Sequence, residues 1–151
     1  MFAYVARQPI VDTNKQLYAY ELLFRDGERN CFPNISPDEA TSRILTESHL
    51  NVGIDEVTGG AIAFINFHTD TLLFRFPTSL TPADVVIEIT ETVTVSDQLV
   101  ATCKQFAEQG YALALDDYDI DEKWLPLLPY ISIVKFDVTT VTDDQIRTSV
   151  P

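Results

Sequence analysis

Short apolar runs that each end in a carboxylate, an amide or an amine recur along the chain. They span residues 18–21, 61–66, 85–88, 112–117 and 131–135. Such runs are typical of strands buried on both faces, as in a parallel sheet covered by helices. Because the carboxyl ends of parallel strands lie at one edge of the sheet, the polar residues there are expected to lie close together. These residues are Glu21, Asn66, Glu88, Asp116, Asp117 and Lys135.

Two segments between these runs carry the signals of helices. One helix is predicted from Ser36 to about His49 or Leu50, because Ser36-Pro37-Asp38-Glu39 combines a capping serine, a first-turn proline and a capping box. The second is predicted over residues 96–109, with Gly110 ending it in a left-handed conformation. Its apolar face, at helical spacing, consists of Leu99, Val100, Cys103, Phe106 and Ala107.

The beginning of the chain is predicted to be a β-hairpin, with strands over residues 2–11 and 17–24 and turn chemistry at residues 12–15. Gly59 and Gly60 then precede the strand that starts at Ala61. About four parallel strands follow the hairpin, whereas a complete (β/α)8 barrel needs about 250 residues. The pattern alone therefore predicts an α/β fold that is either an open sheet or the first part of a barrel.

Length and charge limit the classes of protein further. A chain of 151 residues with 46% hydrophobic residues fits one domain, with a core over residues 1–138 and a polar, poorly ordered tail over residues 139–151. Ten basic and 23 acidic side chains give a net charge of −13, which disfavours DNA, RNA and anionic membranes as partners. A phosphate-bearing ligand would need metal ions or a few well-placed cations.

The sequence also indicates a cytoplasmic location. No apolar stretch approaches the roughly 20 residues that span a bilayer. Cys31 and Cys103 lack the spacing of metal ligands, and no signal segment precedes them. We therefore expect reduced thiols in the cytoplasm, with Cys103 filling space in the core.

The polar residues at the strand ends suit a divalent metal. Carboxylate and amide oxygens are the ligands preferred by Mg²⁺, Mn²⁺ and Ca²⁺. The adjacent pair Asp116 and Asp117 can serve one ion each of a two-metal site, which clamps the attacking and leaving oxygens of a phosphodiester. Lys135 can then orient a water molecule or offset the charge on phosphate.

Structural interpretations of the same residues remain open at this point. Asp116 and Asp117 can be caps and turn formers. Glu88 can be a solvated residue at a helix start, and Asn66 a turn residue.

Lys135 stands inside an apolar run, where an unpaired lysine is costly, and an ion pair with Asp137 would remove that cost without any catalytic role. The two histidines, His49 and His68, are expected at the surface or in loops. Neither is therefore a candidate for catalysis.

Six motifs follow one another along nearly the whole chain. They are Arg7-Gln8-Pro9-Ile10-Val11, Tyr20-Glu21-Leu22-Leu23-Phe24-Arg25, Phe64-Ile65-Asn66, Glu88-Ile89-Thr90-Glu91, Ala114-Leu115-Asp116-Asp117 and Val134-Lys135-Phe136-Asp137. In this order they resemble the EAL-domain family, the bacterial cyclic di-GMP phosphodiesterases. The similarity is greatest to the branch in which an EAL-type domain is followed by an HDOD domain.

The resemblance implies a fold and a set of roles. The chain would be the N-terminal portion of an EAL-type domain, an incomplete TIM-like (β/α) barrel with an antiparallel first strand. Lys135 would be the catalytic lysine, and Gln8 and Arg25 would contact cyclic di-GMP, Arg25 through phosphate. The implied ligands of Mg²⁺ or Mn²⁺ are Glu21, Asn66, Glu88, Asp116 and, for the second metal, Asp117.

The chain departs from the family pattern at three places. Glu21-Leu22-Leu23 replaces Glu-Ala-Leu, and Tyr118-Asp119-Ile120-Asp121 replaces the glycine-containing Phe-Gly-Thr-Gly of the loop that organises metals and dimerisation in the family. The last barrel strands, with a further glutamate and glutamine, would lie beyond the chain.

We therefore interpret the chain as a degenerate EAL-type signalling domain that acts in cyclic di-GMP binding or regulation and does not itself hydrolyse the dinucleotide. The alternatives are a metal-dependent phosphodiesterase when full length, or a protein-interaction scaffold. Without the resemblance, another Mg²⁺-dependent barrel enzyme would be the choice. An open barrel edge would also favour self-association.

Overall fold

The computed structural model describes residues 4–26, 29–30, 54–67, 69–74, 76, 80–91 and 93–149. The strands are β1 Tyr4–Val11, β2 Leu17–Asp26, β3 Arg29–Asn30, β4 Ile62–Phe67, β5 Val85–Ile89, β6 Ala112–Leu115 and β7 Ile133–Val134. The helices are α1 over residues 54–58, α2 Thr69–Phe74, α3 Asp97–Glu108 and α4 Asp143–Ser149, with short 3-10 helices at Glu122–Trp124 and Leu128–Tyr130. The helix predicted from Ser36 lies outside the described residues, as do Cys31, His49 and His68.

All seven strands form one sheet in the order β1-β2-β4-β5-β6-β7, with β3 paired to β2. The strands β1 and β2 are antiparallel, whereas β2, β4, β5, β6 and β7 pair in parallel. Helices separate the parallel strands along the chain. The fold is thus an incomplete (β/α) barrel with an antiparallel first strand, as predicted.

The turn of the opening hairpin forms as its sequence predicts. Oδ1 of Asp12 accepts hydrogen bonds from the backbone N–H groups of Asn14 and Gln16, at 2.8 and 3.0 Å. Lys15 takes the positive φ that closes the turn. The turn places β1 beside β2, and β1 forms one edge of the sheet.

The parallel strands are buried on both faces. Every residue of β5 is buried, and so are five of the six residues of β4. On the convex face, side chains such as Leu22, Ile65 and Ile87 belong to the main core shared with the helices. The smaller cluster on the concave face consists of Ala19, Phe64, Val86 and Ala114.

Helix α3 confirms the prediction made for residues 96–109. Oγ of Ser96 accepts a hydrogen bond from the N–H of Leu99 at 3.1 Å, and Gly110 follows the helix with φ of 97°. Leu99, Cys103 and Phe106 are buried against the sheet. Burial raises the pKa of the Cys103 thiol to about 12, so this residue is an inert part of the core.

The polar tail contains a short helix that the sequence analysis does not predict. In the first turn of α4, the backbone N–H of Gln145 donates a hydrogen bond of 3.3 Å to Oγ1 of Thr142. No residue of α4 is fully buried. The division into core and tail itself stays a prediction.

Among the described residues, no helix is long and apolar enough to cross a bilayer.

Candidate metal centre

The side chains of the centre lie within β2, β4 and β5 or directly after β6 and β7, and one geometric rule explains why they share a face. Side chains two residues apart on a strand point to the same face. Each polar residue follows an apolar residue of the concave face by two positions. The pairs are Ala19 and Glu21, Phe64 and Asn66, Val86 and Glu88, Ala114 and Asp116, and Ile133 and Lys135. The polar set therefore forms one layer above the apolar cluster.

Lys135 lies at the middle of this layer. Its Nζ is 2.9 Å from Oε2 of Glu88, 3.0 Å from Oδ1 of Asp116 and 3.5 Å from Oε1 of Glu21. Nδ2 of Asn66 lies 3.4 Å from the same Glu21 oxygen, to which it donates a hydrogen bond. These contacts link five of the predicted site residues, four of them through Lys135 or Glu21.

The oxygen atoms of the layer fit a hard cation. Glu21, Glu88 and Asp116 each offer a carboxylate oxygen, and these three atoms lie within 4.8 Å of one another. Oδ1 of Asn66 and Oε1 of Glu88 are buried and have no hydrogen-bond partner among the described residues. Buried acceptors without partners are costly, and a divalent cation would supply the missing interaction.

Burial of Glu88 and the positive charge of Lys135 shift the pKa of Glu88 in opposite directions. Its side chain is wholly inaccessible to solvent, and this desolvation raises its pKa from 4.5 to about 7 even though Lys135 lowers it through a hydrogen bond and its charge. Glu21 and Asp116 add smaller upward shifts. For Lys135 the desolvation lowers the pKa, but the bonds to Glu88 and Asp116 outweigh it and raise the pKa overall. The lysine therefore remains charged at neutral pH.

Several structural interpretations of these residues are wrong. Glu88 lies inside β5 and is buried, so it is not a solvated residue at a helix start. Asn66 lies inside β4 and is not a turn residue. Lys135 pairs with the carboxylates of the layer, whereas Asp137 accepts hydrogen bonds from N and Oγ1 of Thr139 at 2.9 and 2.6 Å. Glu21 also differs from expectation, since it lies in the middle of β2 and not at its end.

Asp117 does not join the three carboxylates. It follows β6 with a φ of 49°, a left-handed conformation typical of turns, and its side chain is exposed. Desolvation and the charges of Asp116, Glu91 and Asp137 raise its pKa, while Lys135 lowers it. Asp117 therefore lies near the centre, and its assignment to a second metal stays a prediction.

Of the two residues expected to contact the dinucleotide, Gln8 faces the centre. It pairs directly with Glu21 across β1 and β2, so both side chains point to the concave face. Arg7 points the other way, donating to the carbonyl of Val57 at 2.6 Å. The backbone of Arg25 pairs with Tyr4, but its side chain lies outside the described residues. The roles of Gln8 and Arg25 stay predictions.

Sequence reasoning missed the organisation of the loop after Asp117. Oδ1 of Asp119 accepts a hydrogen bond from Nε1 of Trp124 at 2.8 Å, and Nζ of Lys123 lies 3.4 Å from the carbonyl oxygen of Glu91. The loss of glycines predicted only that this loop would differ from the family pattern. A lone tryptophan within a carboxylate-rich loop was the available signal.

An acidic cluster with a central lysine thus lies at the carboxyl edge of an incomplete α/β barrel whose first strand is antiparallel. The chain is 40% identical over 143 residues to the cyclic di-GMP phosphodiesterase CdgJ of Vibrio cholerae, covering 94% of this chain and 33% of that protein. It is also 40% identical over 157 residues to the uncharacterized protein YuxH of Bacillus subtilis, covering 98% and 37%. The chain therefore spans about a third of the length of these curated relatives. No family model matches it.

Solved structures share the fold. Klebsiella pneumoniae BlrP1, in its calcium and cyclic di-GMP complex, matches 93% of this chain and 41% of its own with a TM-score of 0.60 and 22% identity. The Bacillus subtilis YkuI protein, with an EAL domain and in complex with substrate cyclic di-GMP and calcium, matches 93% and 42% with a TM-score of 0.60 and 16% identity. Together with the sequence relatives, these structures confirm the predicted resemblance to the EAL-domain family.

Proposed function

We propose that this chain is the EAL-type part of a bacterial signal-transduction protein and binds cyclic di-GMP with the help of divalent cations. One similar protein is a cyclic di-GMP phosphodiesterase, and the structures named above hold cyclic di-GMP with calcium. A manganese complex of BlrP1 is also similar in fold, with a TM-score of 0.59. These likenesses support the ligand and the class of metal.

The observation that carries the proposal is the pair of buried oxygens without partners, Oδ1 of Asn66 and Oε1 of Glu88, beside three clustered carboxylates. In our proposal Asn66, Glu88, Asp116 and Glu21 hold the first cation and Asp117 the second. Such hard oxygen ligands suit Mg²⁺ or Mn²⁺. A bound cation would offset the charge of the ligand phosphates, which the net charge of −13 otherwise repels.

The remaining residues of the proposal act on the ligand directly. Gln8, which lies opposite Glu21, would hydrogen-bond the dinucleotide, and Arg25 would bind a phosphate. Lys135 would hold its positive charge beside the phosphodiester. In this chain we expect binding without hydrolysis, because Tyr118-Asp119-Ile120-Asp121 replaces the glycine-containing loop of the family.

Hydrolysis by a longer protein is the second candidate function. It is favoured by the contacts of Lys135 with both Glu88 and Asp116, which place an ammonium group among the proposed ligands. There Lys135 would act as the catalytic lysine, orienting the attacking water. A third candidate is a scaffold whose acidic surface binds a protein partner.

Self-association and a cytoplasmic location complete the proposal. Among the described strands, β7 has two residues and pairs with β6 alone, so its other edge can pair with a second copy of the chain. Light scattering at tens of micromolar should then give a mass above that of the monomer. The free thiol of Cys103 is consistent with a reducing compartment.

Calorimetric titration of cyclic di-GMP into the chain, with Ca²⁺ present, tests the proposed function. Saturable binding should be lost in Glu88→Gln and Arg25→Ala. The control Glu108→Gln removes the same charge from an exposed position at the end of α3 and should bind like the wild type. The absence of heat at about 100 μM protein, with the chain and with a longer protein, would contradict binding and favour the scaffold.

A further inference from the structure

The loop over residues 118–124 is held by one carboxylate. Oδ1 of Asp119 accepts hydrogen bonds from Nε1 of Trp124 at 2.8 Å and from the backbone N–H of Asp121 at 3.2 Å. We call the bonded pair Asp119 and Trp124 the tryptophan clasp. Desolvation acts to raise the pKa of Asp119, but these hydrogen bonds outweigh it and lower the pKa. Trp124 is 1% exposed, so the clasp ties the loop to the core.

The start of the same loop is tied to the strand that leads to Lys135. The backbone N–H of Tyr118 donates to the carbonyl oxygen of Lys135 at 2.8 Å, and its ring packs edge-on against Phe136. The preceding residue, Asp117, is left-handed. A change in the path of the loop would therefore move Asp117 relative to the centre.

Between these two anchors the backbone is strained. Ile120 has a φ of 62°, a conformation that β-branched residues rarely adopt. Such strain persists only where the surrounding contacts over-determine the conformation. The clasp supplies such contacts, because Asp119 immediately precedes Ile120 and its carboxylate bonds both Trp124 and Asp121.

We propose that Asp119 is a positioning residue whose hydrogen bond to Trp124 fixes the loop so that Asp117 stays beside Asp116, available to a second cation. The inference rests on the proposed function, because the second cation belongs to that site. The charges of Asp116, Glu91 and Asp137 all act on Asp117, so this position already gathers negative charge. In this proposal the tryptophan clasp orders a loop that lacks the glycines of the family pattern.

Counting bound Mn²⁺ by electron paramagnetic resonance on the full chain tests the inference. The wild type should bind two ions. Trp124→Phe keeps an aromatic ring but removes the hydrogen-bond donor. Both this variant and Asp119→Ala should lower the affinity for the second ion by about tenfold or more and leave the affinity for the first almost unchanged. Asp119→Asn keeps an acceptor oxygen and should restore binding.

A matched control lies in the same loop. Asp121→Ala removes the side-chain cap on Lys123, a bond of 2.9 Å, but leaves the clasp in place. Its affinity for the second ion should match that of the wild type. If Asp121→Ala weakens the second ion as much as Asp119→Ala does, the effect reports general loosening of the loop and the inference is overturned.

The chain has one tryptophan, so its spectrum holds one indole N–H resonance. Asp119→Ala should move this resonance upfield and speed its exchange with solvent. In the wild type, Ca²⁺ should shift it during the second binding step, which tests the coupling even if the alanine variant does not fold. A resonance unmoved by the second ion overturns the inference.

The number of bound Mn²⁺ ions distinguishes failure of this inference from failure of the proposed function. If the wild type binds one Mn²⁺ only, the inference and the proposed role of Asp117 fall, whereas cyclic di-GMP binding with the first cation stands. If it binds none, both fall. If Asp119→Ala loses the indole hydrogen bond yet binds the second ion like the wild type, the clasp positions nothing and only the inference falls.

Discussion

Nζ of Lys135 lies 2.9 Å from Oε2 of Glu88, a side chain with no exposure to solvent. The two residues are 47 positions apart in the sequence. Removing Lys135 would leave the buried Glu88 carboxyl in an environment that disfavours its ionised form, whereas Lys135 without Glu88 would keep Asp116 as a partner at 3.0 Å.

Lys135→Met should lower the free energy of unfolding by about 2–3 kcal/mol at pH 8, because three carboxylates lose their counter-charge. This loss is smaller than the roughly 3–5 kcal/mol expected when a fully buried ion pair is broken. The reason is that the lysine side chain is 29% exposed. Urea unfolding measures the change. Lys104→Met, at an exposed position of α3, is the control, and equal effects of the two variants would contradict a stabilising role for the ion pair.

Stability should fall as the pH rises from about 4.5 to about 7, the ordinary and the raised pKa of Glu88. Within this range the folded chain retains a proton that the unfolded chain loses, so the contribution is complete below 4.5 and lost above 7. The contribution of Glu88 should amount to about 3 kcal/mol. Urea unfolding across this pH range compares the wild type with Glu88→Gln, in which this contribution disappears. If the free energy of unfolding changes with pH in parallel for the two proteins, the raised pKa of Glu88 is contradicted.

Ile120→Gly should raise the free energy of unfolding by about 1 kcal/mol, since glycine accepts the left-handed conformation at φ of 62° without strain. Thermal and urea unfolding both measure this gain. Ile120→Ala is the matched control, because alanine keeps the strain and should bring no gain. An equal rise in both variants would mean that side-chain exposure, not the backbone, is responsible.

Gly110→Ala, in contrast, should lower the free energy of unfolding. Its φ is 97°, and a Cβ at this position would lie 3.7 Å from Cβ of Pro82, an ordinary contact. The cost is therefore one of backbone conformation alone, about 1 kcal/mol. Gln109→Ala, at a right-handed position one residue earlier, should change stability by less than about 0.5 kcal/mol. A Gly110→Ala variant as stable as this control would refute the argument.

Local patterns were sufficient to predict α3 and the strands that carry the centre. Ser96 and Gly110 mark the ends of the helix by their own chemistry. The apolar runs end at polar residues that the two-residue period of a strand then places on one face. Turn chemistry at residues 12–15 likewise predicted the opening hairpin and so the antiparallel β1.

The rest depended on contacts between distant parts of the chain. Burial of Glu88 requires strands on both sides, so the local sequence alone left a helix start open as an alternative. The turn at Asp117 depends on the bond from Tyr118 to the carbonyl of Lys135, 17 residues later by the numbering of the chain. Helix α4 could not be predicted for another reason, since it begins with a weak local cap at Thr142.

The two-residue alternation that builds the layer also makes the centre sensitive to the length of its strands. A single-residue deletion between Val85 and Glu88 would turn the Glu88 carboxylate toward the helices and an isoleucine toward the centre, while the composition hardly changed. Loops can lengthen without this effect. In evolution, insertions and deletions should therefore be excluded from β4, β5 and β6 more strictly than conservative substitutions of any one ligand.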